Sequence, residues 1–440
     1  MPGVLELLPR DQVALQRMLD TIRNGFESFG FLPVNTPAME LTDVLLTKSG
    51  GETERQVYLA QSTGARAQGY EPDLALRFDL TVPLARYVAE HEAELSFPFR
   101  RYQIQPVWRG EAPQRGRFRE FIQCDIDVVD RDTLSIRYDA EMPAVISEVF
   151  TRLAIGNFTI RLNNRRLLKG LLAELGVGDF DQQALVLREL DKLDRDGVDA
   201  VSRALTTRGV TIDVVDRLMT MAGPGPLKGT AATEMLRALP AANDPMQQGR
   251  DELLAVLSMI EMQGTDPDRI AIDLSIARGL DYYTGTVYET TLDGHEDLGS
   301  ICSGGRYDDL ASLYTKSHLP GVGISIGLTR LFDQLRGLGV IDATTSNVQV
   351  FVTLIDDDGL GASLALASDL RRAGFNTEMC MTSGKLSRQL KYADRAGIPL
   401  VVIAGEDERQ RSTVQVRNLH TQAQIEISAS DLAATVSRML

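Results

Sequence analysis

Two strand-forming runs joined by a short loop constrain this chain more than any other feature. FPFRRYQIQPVWRG, residues 97–110, is followed by EAPQRG, then Arg117, then FREFIQCDIDVV, which ends at Val129. Proline and glycine mark EAPQRG as a loop. A connection this short joins antiparallel neighbours, because a parallel pair needs a crossover of a dozen residues or more. In the second run Phe121, Cys124, Ile126 and Val128 alternate with polar residues, the pattern of a half-buried antiparallel strand. Strand character recurs in LALRFDLT from Leu74 and at residues 270–276, 286–291 and 321–326. The first part of the chain is therefore read as an antiparallel-sheet domain.

The flanking segments differ. Residues 11–30 read as a helix, with Leu15, Met18, Ile22 and Phe26 on one stripe and Gly30 as its stop. The extended stretch after it carries Pro33 and Pro37, which points to a sheet edge or an interface. Residues 166–263 are rich in Leu, Ala, Asp and Arg at helical spacing and carry no chemical motif, so they read as a helical insertion. GVIDATTSN, residues 339–347, reads as a linker. Beyond it, strands alternate with helices of ten to fifteen residues, then a hairpin and a terminal helix from Asp431, a βαβαββα unit with parallel pairing. The expected division is 1–165 and 264–340 for an α+β catalytic core, 166–263 for the insertion, and 346–440 for a separate mixed α/β domain.

Length and composition narrow the function. With 440 residues, 43% hydrophobic and 24% charged, this is an ordinary globular composition with ample core, and no run approaches the roughly 18 apolar residues of a membrane span. The N-terminus lacks the basic region and apolar stretch of a secretory signal. Cys124, Cys302 and Cys380 are far apart, and the four histidines are scattered, so reduced structural cysteines in a cytoplasmic protein, without zinc, are expected. A net charge of -15 does not advertise nucleic-acid binding. Local islands can oppose it. Arg100, Arg101, Arg109, Arg115, Arg117 and Arg119 face a single acid, Glu111, between residues 100 and 119, interleaved with Tyr102, Trp108, Phe118 and Phe121. A solvated face or a binding surface would both fit.

Four segments carry candidate chemistry. The hairpin places Arg109 and Glu111 on one arm and Arg117 and Arg119 on the other. Guanidinium groups there suit a nucleoside triphosphate, since they pair bidentately with phosphate oxygens and stay charged; a surface hairpin with salt bridges is the plainer reading. ARGLDYYTG, residues 277–285, sets Tyr282 and Tyr283 on opposite strand faces, so one can line a pocket. GSICSGGRYDDL, residues 299–310, has paired glycines that permit close approach. GVGISIGLTR, residues 321–330, matches neither phosphate-loop spacing nor the dinucleotide fingerprint and reads as a small-residue strand running into a helix that carries Arg330.

In order and wording, LRFDLTVPLARY, VWRGEAPQRGRFREFIQCDID, RGLDYYTG, SGGRYDDL and GVGISIGLTRL resemble the histidine–tRNA ligases, a family of class II aminoacyl-tRNA synthetases. The N-terminal helix with FGFLPVNTPAME is similar to the class motif at the dimer interface, and the C-terminal unit to the anticodon-binding domain. The resemblance implies ATP-dependent activation of L-histidine and its transfer to tRNA(His) by a homodimer, with magnesium arriving on ATP and no tightly bound organic cofactor. It implies that Asp79 and Thr81 hold the α-amino group, that Arg109 grips the ATP α-phosphate and the amino-acid carboxylate, and that Arg278 stabilises the α-phosphate. Gln123, Asp127, Tyr282, Tyr283 and Tyr307 would line the histidine pocket. Glu111, Arg117 and Arg330 would contact ATP. Three departures stand out: Ala112 in the hairpin loop, Asp79 in place of a longer glutamate, and Thr329 where an acid is frequent. The alternative is a non-catalytic paralogue, the regulatory subunit of ATP phosphoribosyltransferase, which binds histidine as a signal; a synthetase-like tRNA sensor is a further alternative.

Overall fold

The structure, a computed structural model, describes residues 2–46, 56–112, 116–240, 242–277, 283–341 and 346–440. Residues 1–5 and 20–340 form one compact unit, and residues 6–19 with 341–440 form another.

The helix Pro9–Ser28 divides between the two units at residue 19, and its stripe of Leu15, Met18, Ile22 and Phe26 is buried. β1 (Leu32–Pro33) follows. Then β2 (Met39–Leu41), β3 (Tyr58–Ala60) and β4 (Leu74–Leu76) make a small antiparallel sheet in the order β2-β4-β3. The main sheet is built from β1, β5 (Phe99–Trp108), β6 (Glu120–Val129), β7 (Phe158–Asn164), β8 (Leu227–Lys228), β9 (Ile270–Ile272), β10 (Thr286–Leu292), β11 (Cys302–Tyr307) and β12 (Gly321–Gly327). Among the described residues its order is β1-β5-β6-β12-β11-β10-β7-β9-β8. From β5 to β7 every pairing is antiparallel. Pro33 sits on the edge strand, where its missing N–H leaves no ladder bond unmade.

β6 differs from its sequence reading in two ways. Cys124, Ile126 and Val128 do make an apolar face, fully buried, with the helix Leu328–Gly337 against this strand. The opposite face is buried as well: Gln123, Asp125 and Asp127 are 8%, 2% and 3% exposed. Phe121 belongs to that polar face, being an even number of residues from Gln123. Alternation shows which side chains share a face, but not whether water or protein covers it.

Register then lines up the interior of the domain. Arg101, Asp127, Gly323 and Gly305 are consecutive partners across β5, β6, β12 and β11. Gln103, Asp125, Ser325 and Ser303 form the next row. The glycines keep the space above Asp127 open: a Cβ on Gly323 would lie 2.2 Å from its Oδ1, and one on Gly305 2.9 Å from the Tyr283 ring.

Among the described residues, the regular elements between 165 and 262 are all helices except β8, which joins the main sheet. The helices Arg165–Glu174 and Asp244–Met262 approach closely through Gly170 and Gly249, where any side chain would strike Met246 or Leu167 backbone. They group with the sheet in the first compact unit.

In the second unit β13 (Val350–Val352), β14 (Thr377–Met379) and β15 (Leu400–Ile403) pair in parallel, and β16 (Thr413–Asn418) and β17 (Gln424–Ser428) extend the sheet antiparallel. Alternate residues feed two cores. Val350, Val352, Leu400 and Val402 pack with Leu366, Leu370, Leu432 and Val436. Phe351, Val401 and Ile403 pack with Ala393 and Ile398. A short helix, Glu406–Arg411, has no counterpart in the sequence reading. Its sequence EDERQR carries no apolar stripe, and Glu408 closes its first turn by accepting the Gly405 N–H at 2.9 Å.

Candidate active site

A cavity of about 480 Å³ opens on the polar face of the main sheet. That is within the range of small-molecule sites. Its floor is β6, its walls come from β11 and β12, and its mouth is the hairpin between β5 and β6.

The floor is dominated by one guanidinium among carboxylates. Arg101 is fully buried, and its Nη2 lies 2.7 Å from Asp127 Oδ2. The Tyr307 hydroxyl donates to Asp127 Oδ1 at 2.8 Å. Burial pushes the Asp127 carboxyl up to about 6, against the pull of Arg101 and Tyr307. Asp125 is pushed up further, to about 7, by burial and by its neighbours Asp127 and Asp79; Arg101 and a hydrogen bond from Ser325 oppose this. Asp79 stands just before the helix Thr81–Glu90 and accepts the Val82 N–H at 3.1 Å. Its carboxyl is also raised by burial, with Val82, Arg109 and Arg101 pulling the other way. A helix N-terminus favours a carboxylate there, so the fold holds Asp79 in place.

The mouth carries the positive charge. Arg109 leaves the end of β5 with its Nε donating to the Phe78 carbonyl at 3.0 Å and its guanidinium 5.1 Å from the Phe121 ring centroid. Its Nε–H and one side of its guanidinium are thus engaged by protein, and the residue lines the cavity. Arg117 lies 3.4 Å from Glu111 on the opposite arm. Arg330 begins the helix Leu328–Gly337 and donates to the Leu298 carbonyl. Thr329, beside it, accepts the Ile122 N–H at 2.8 Å and ties that helix to β6. A hydroxyl serves this bond, which gives the departure at Thr329 a structural role.

Of the residues singled out from the sequence, Asp79, Thr81, Arg109, Glu111, Arg117, Gln123, Asp127, Tyr283, Tyr307 and Arg330 all line this one cavity. Arg278 and Tyr282 lie outside the described residues, as does Arg115. The arginine island does not act as one surface. Arg100 pairs with Glu141 at 2.9 Å and lies over Phe31; Arg101 is buried in the floor. Arg119 donates to the Glu111 carbonyl. Sequence reading missed Arg101 and Asp125 as floor residues. The signal was the odd-numbered spacing of Asp125 with Gln123 and Asp127, which places all three on one face.

An antiparallel sheet with a carboxylate-lined floor and an arginine hairpin at its mouth, followed by a parallel-stranded C-terminal unit, is the architecture of a class II aminoacyl-tRNA synthetase. The family model described as Histidyl-tRNA synthetase matches residues 3–331, and the anticodon binding domain model matches residues 349–439. A histidine–tRNA ligase of Stenotrophomonas maltophilia is 55% identical over 99% of this chain and 96% of its own length. One from Xylella fastidiosa is 56% identical over the same shares. The crystal structure of the histidyl-tRNA synthetase from Nostoc sp. PCC 7120 superposes with a TM-score of 0.90 at 38% identity, covering 100% of this chain and 98% of that one. The chain belongs to the histidyl-tRNA synthetase family. A Bacillus halodurans structure titled as an ATP phosphoribosyltransferase regulatory subunit/histidyl-tRNA synthetase shares the fold at 19% identity, with a TM-score of 0.72. The regulatory-paralogue alternative is not favoured, since relatives at 54–56% identity over 99% of the chain are ligases.

Proposed function

We propose that this cavity is where an ATP-dependent histidine–tRNA ligase makes histidyl-adenylate and passes histidine to tRNA(His). The observation that carries the reading is the convergence, in one cavity, of a carboxylate floor and an arginine mouth. Amino-acid groups and phosphates need opposite charges, and the site offers both within one enclosure.

The first step joins two anions, because the histidine carboxylate attacks the ATP α-phosphorus and releases pyrophosphate. The protein must supply positive charge where negative charge accumulates. Arg109 takes that role at the mouth, with Arg278 as its partner. Glu111, Arg117 and Arg330 hold ATP, and Phe121 keeps the Arg109 guanidinium flat. Magnesium would come on the ATP phosphates, whose hard oxygen donors suit it and which it would help neutralise; Glu111, at the mouth, is a carboxylate able to join its coordination. Asp79 and Thr81 hold the α-ammonium group, and Gln123 completes the polar lining of the histidine pocket. Asp127, Tyr282, Tyr283 and Tyr307 surround the ring. In the second step a ribose hydroxyl at the tRNA 3′ end attacks the adenylate carbonyl. No side-chain nucleophile is required. Positioning of the reactants contributes much of the rest.

The helical segment 166–263 is assigned to tRNA contact, and residues 346–440 to the anticodon. The protein is read as a cytoplasmic homodimer; no described helix is long and apolar enough to cross a membrane. Isologous dimers are the commonest closed assembly, and Leu32 on the edge strand β1 and Met39 and Leu41 on β2 expose 62%, 52% and 51% of their surface. Light scattering at micromolar concentration should give twice the chain mass. The test of function is exchange of pyrophosphate into ATP with each of the twenty amino acids. Histidine alone should support it, and exchange with another amino acid in its place overturns the reading.

A further inference from the structure

No described residue between 165 and 262 lines the cavity. Two of them nevertheless reach its walls from behind. Those walls include the rings of Tyr283 and Tyr307. Each ring lies against a glycine: a Cβ on Gly305 would come within 2.9 Å of the Tyr283 ring, and one on Gly321 within 2.4 Å of the Tyr307 ring. A glycine gives a ring room but no side chain to lean on, so the backbone that carries each tyrosine has much to do with where its ring sits.

That backbone is tied together one residue past both tyrosines. The Thr284 N–H donates to the Arg306 carbonyl at 2.8 Å, and the Thr284 hydroxyl donates to Asp308 Oδ2 at 2.7 Å. The same oxygen accepts from Arg166 Nη2 at 3.0 Å. Arg306 Nη1 stands 3.8 Å from the other oxygen, although that guanidinium is mainly engaged by Asp139. Arg166 Nη1 in turn donates to Glu252 Oε1, on the helix Asp244–Met262. Glu252 also accepts from Gln248 at 3.1 Å and from Asn164 at 2.7 Å. Asn164 caps the helix Arg165–Glu174 by accepting the Arg166 N–H at 2.9 Å, which fixes where the Arg166 side chain starts. Beside it, the Arg165 N–H donates to the Gly285 carbonyl at 2.8 Å. An exposed ion pair contributes little. Here the Glu252 and Asp308 side chains are only 16% and 19% exposed, and one planar guanidinium bridges them.

Resting on the ligase reading above, we propose that Arg166 is a positioning residue for the histidine pocket, clamping Asp308, and through it the Tyr283 and Tyr307 walls, to Glu252 of the helical insertion. The insertion then contributes to histidine affinity without touching the amino acid, a role separate from any contact it makes with tRNA. Glu252 is the far end of the clamp and reaches the pocket through Arg166. Arg109, Glu111 and Arg117 stand at the other side of the cavity, on the hairpin of β5 and β6. Loss of the clamp should therefore be felt by one substrate and not by the other.

The experiment measures the histidine KM and the ATP KM of the full-length chain in pyrophosphate exchange. Arg166→Met should raise the histidine KM by about 5- to 20-fold, the size of coupling within one hydrogen-bond network, and change the ATP KM by less than about twofold. Glu252→Ala should raise the histidine KM by a smaller factor. Added to Arg166→Met, it should raise it no further, because its path to the pocket is already cut. Arg166→Lys keeps the charge but not the planar fork that bridges two carboxylates, so it should fall between the unaltered protein and the methionine variant. Thermal melting accompanies each variant; if the methionine protein does not fold, the lysine protein, alone and with Glu252→Ala, decides. An unchanged histidine KM overturns the proposal. Equal rises in both KM values do so too, because they indicate a merely structural role. A full additional loss from Glu252→Ala in the Arg166→Met protein also overturns it, since Glu252 then acts by another route. If the unaltered protein gives no exchange with histidine, the ligase reading itself has failed; if it does and only the variants fail to respond as stated, the role of Arg166 alone has.

Discussion

Arg101→Met should expose how much of this domain's stability rests on one buried charge. The guanidinium is fully buried, lies 2.7 Å from Asp127, and holds down the carboxyls of Asp79, Asp125 and Asp127 together. Unit charges about 4 Å apart attract by about 4 kcal/mol at an effective dielectric of about 20. That agrees with the roughly 3–5 kcal/mol lost when one member of a buried pair is removed. Methionine has nearly the right length and no charge, so the loss should be electrostatic and therefore depend on pH. In the unaltered protein Asp125 and Asp127 already titrate near 7 and 6, against about 3.9 when unfolded. Without Arg101 their folded values rise further. Between pH 4 and those values the native state binds more protons than the unfolded state, so these groups make stability fall as pH rises. The variant's deficit should be full at pH 8.5 and shrink by at least half at pH 5.5, where the carboxyls can take up protons. Urea unfolding followed by tryptophan fluorescence measures it cleanly, because Trp108 is the single tryptophan of the chain and lies on β5 itself. A deficit that is the same at both pH values, or below about 1 kcal/mol, would refute the account of Arg101 as the counter-charge of the floor.

Three further outcomes follow from the geometry. Gly323→Ala puts a methyl group 2.2 Å from Asp127 Oδ1; overpacking should cost about 1–3 kcal/mol and raise the histidine KM at least tenfold with little change in the ATP KM, as initial-rate exchange kinetics will show. Arg278→Ala should leave the melting temperature near normal and lower adenylate formation by about 10²–10³; near-normal exchange removes Arg278 from the mechanism. Lys385, Arg388 and Lys391 are exposed at the start and along the face of the helix Leu386–Arg395, with Tyr392 49% exposed beside them. RNA binding there by charge and stacking predicts that Arg388→Glu with Lys391→Glu raises the tRNA KM in aminoacylation, most at low salt and less as salt increases, and leaves pyrophosphate exchange untouched.

Much of this protein could be read from its residues in line. The strands of the hairpin, the edge proline at Pro33, the helical stretch 165–262 and the parallel C-terminal unit all follow from local periodicity and punctuation. Most of the residues singled out from the motifs line the cavity. What could not be read was environment. Gln123, Asp125 and Asp127 alternate along β6, and polarity on alternate residues ordinarily means water; here that face lines a cavity, and the three are buried together. Arg100 and Arg101 look equivalent in sequence, yet one pairs with Glu141 at the outside of the strand and the other with Asp127 inside it. Their partners lie 41 and 26 residues away along the chain, and only strand register and helix packing decide which carboxylate each meets. The sequence by itself determined the elements, their order and the chemical groups available. The tertiary structure decided which charges lose their water, and with that which of them are left needing a ligand, because desolvation depends on everything packed around a group and on nothing in its immediate sequence.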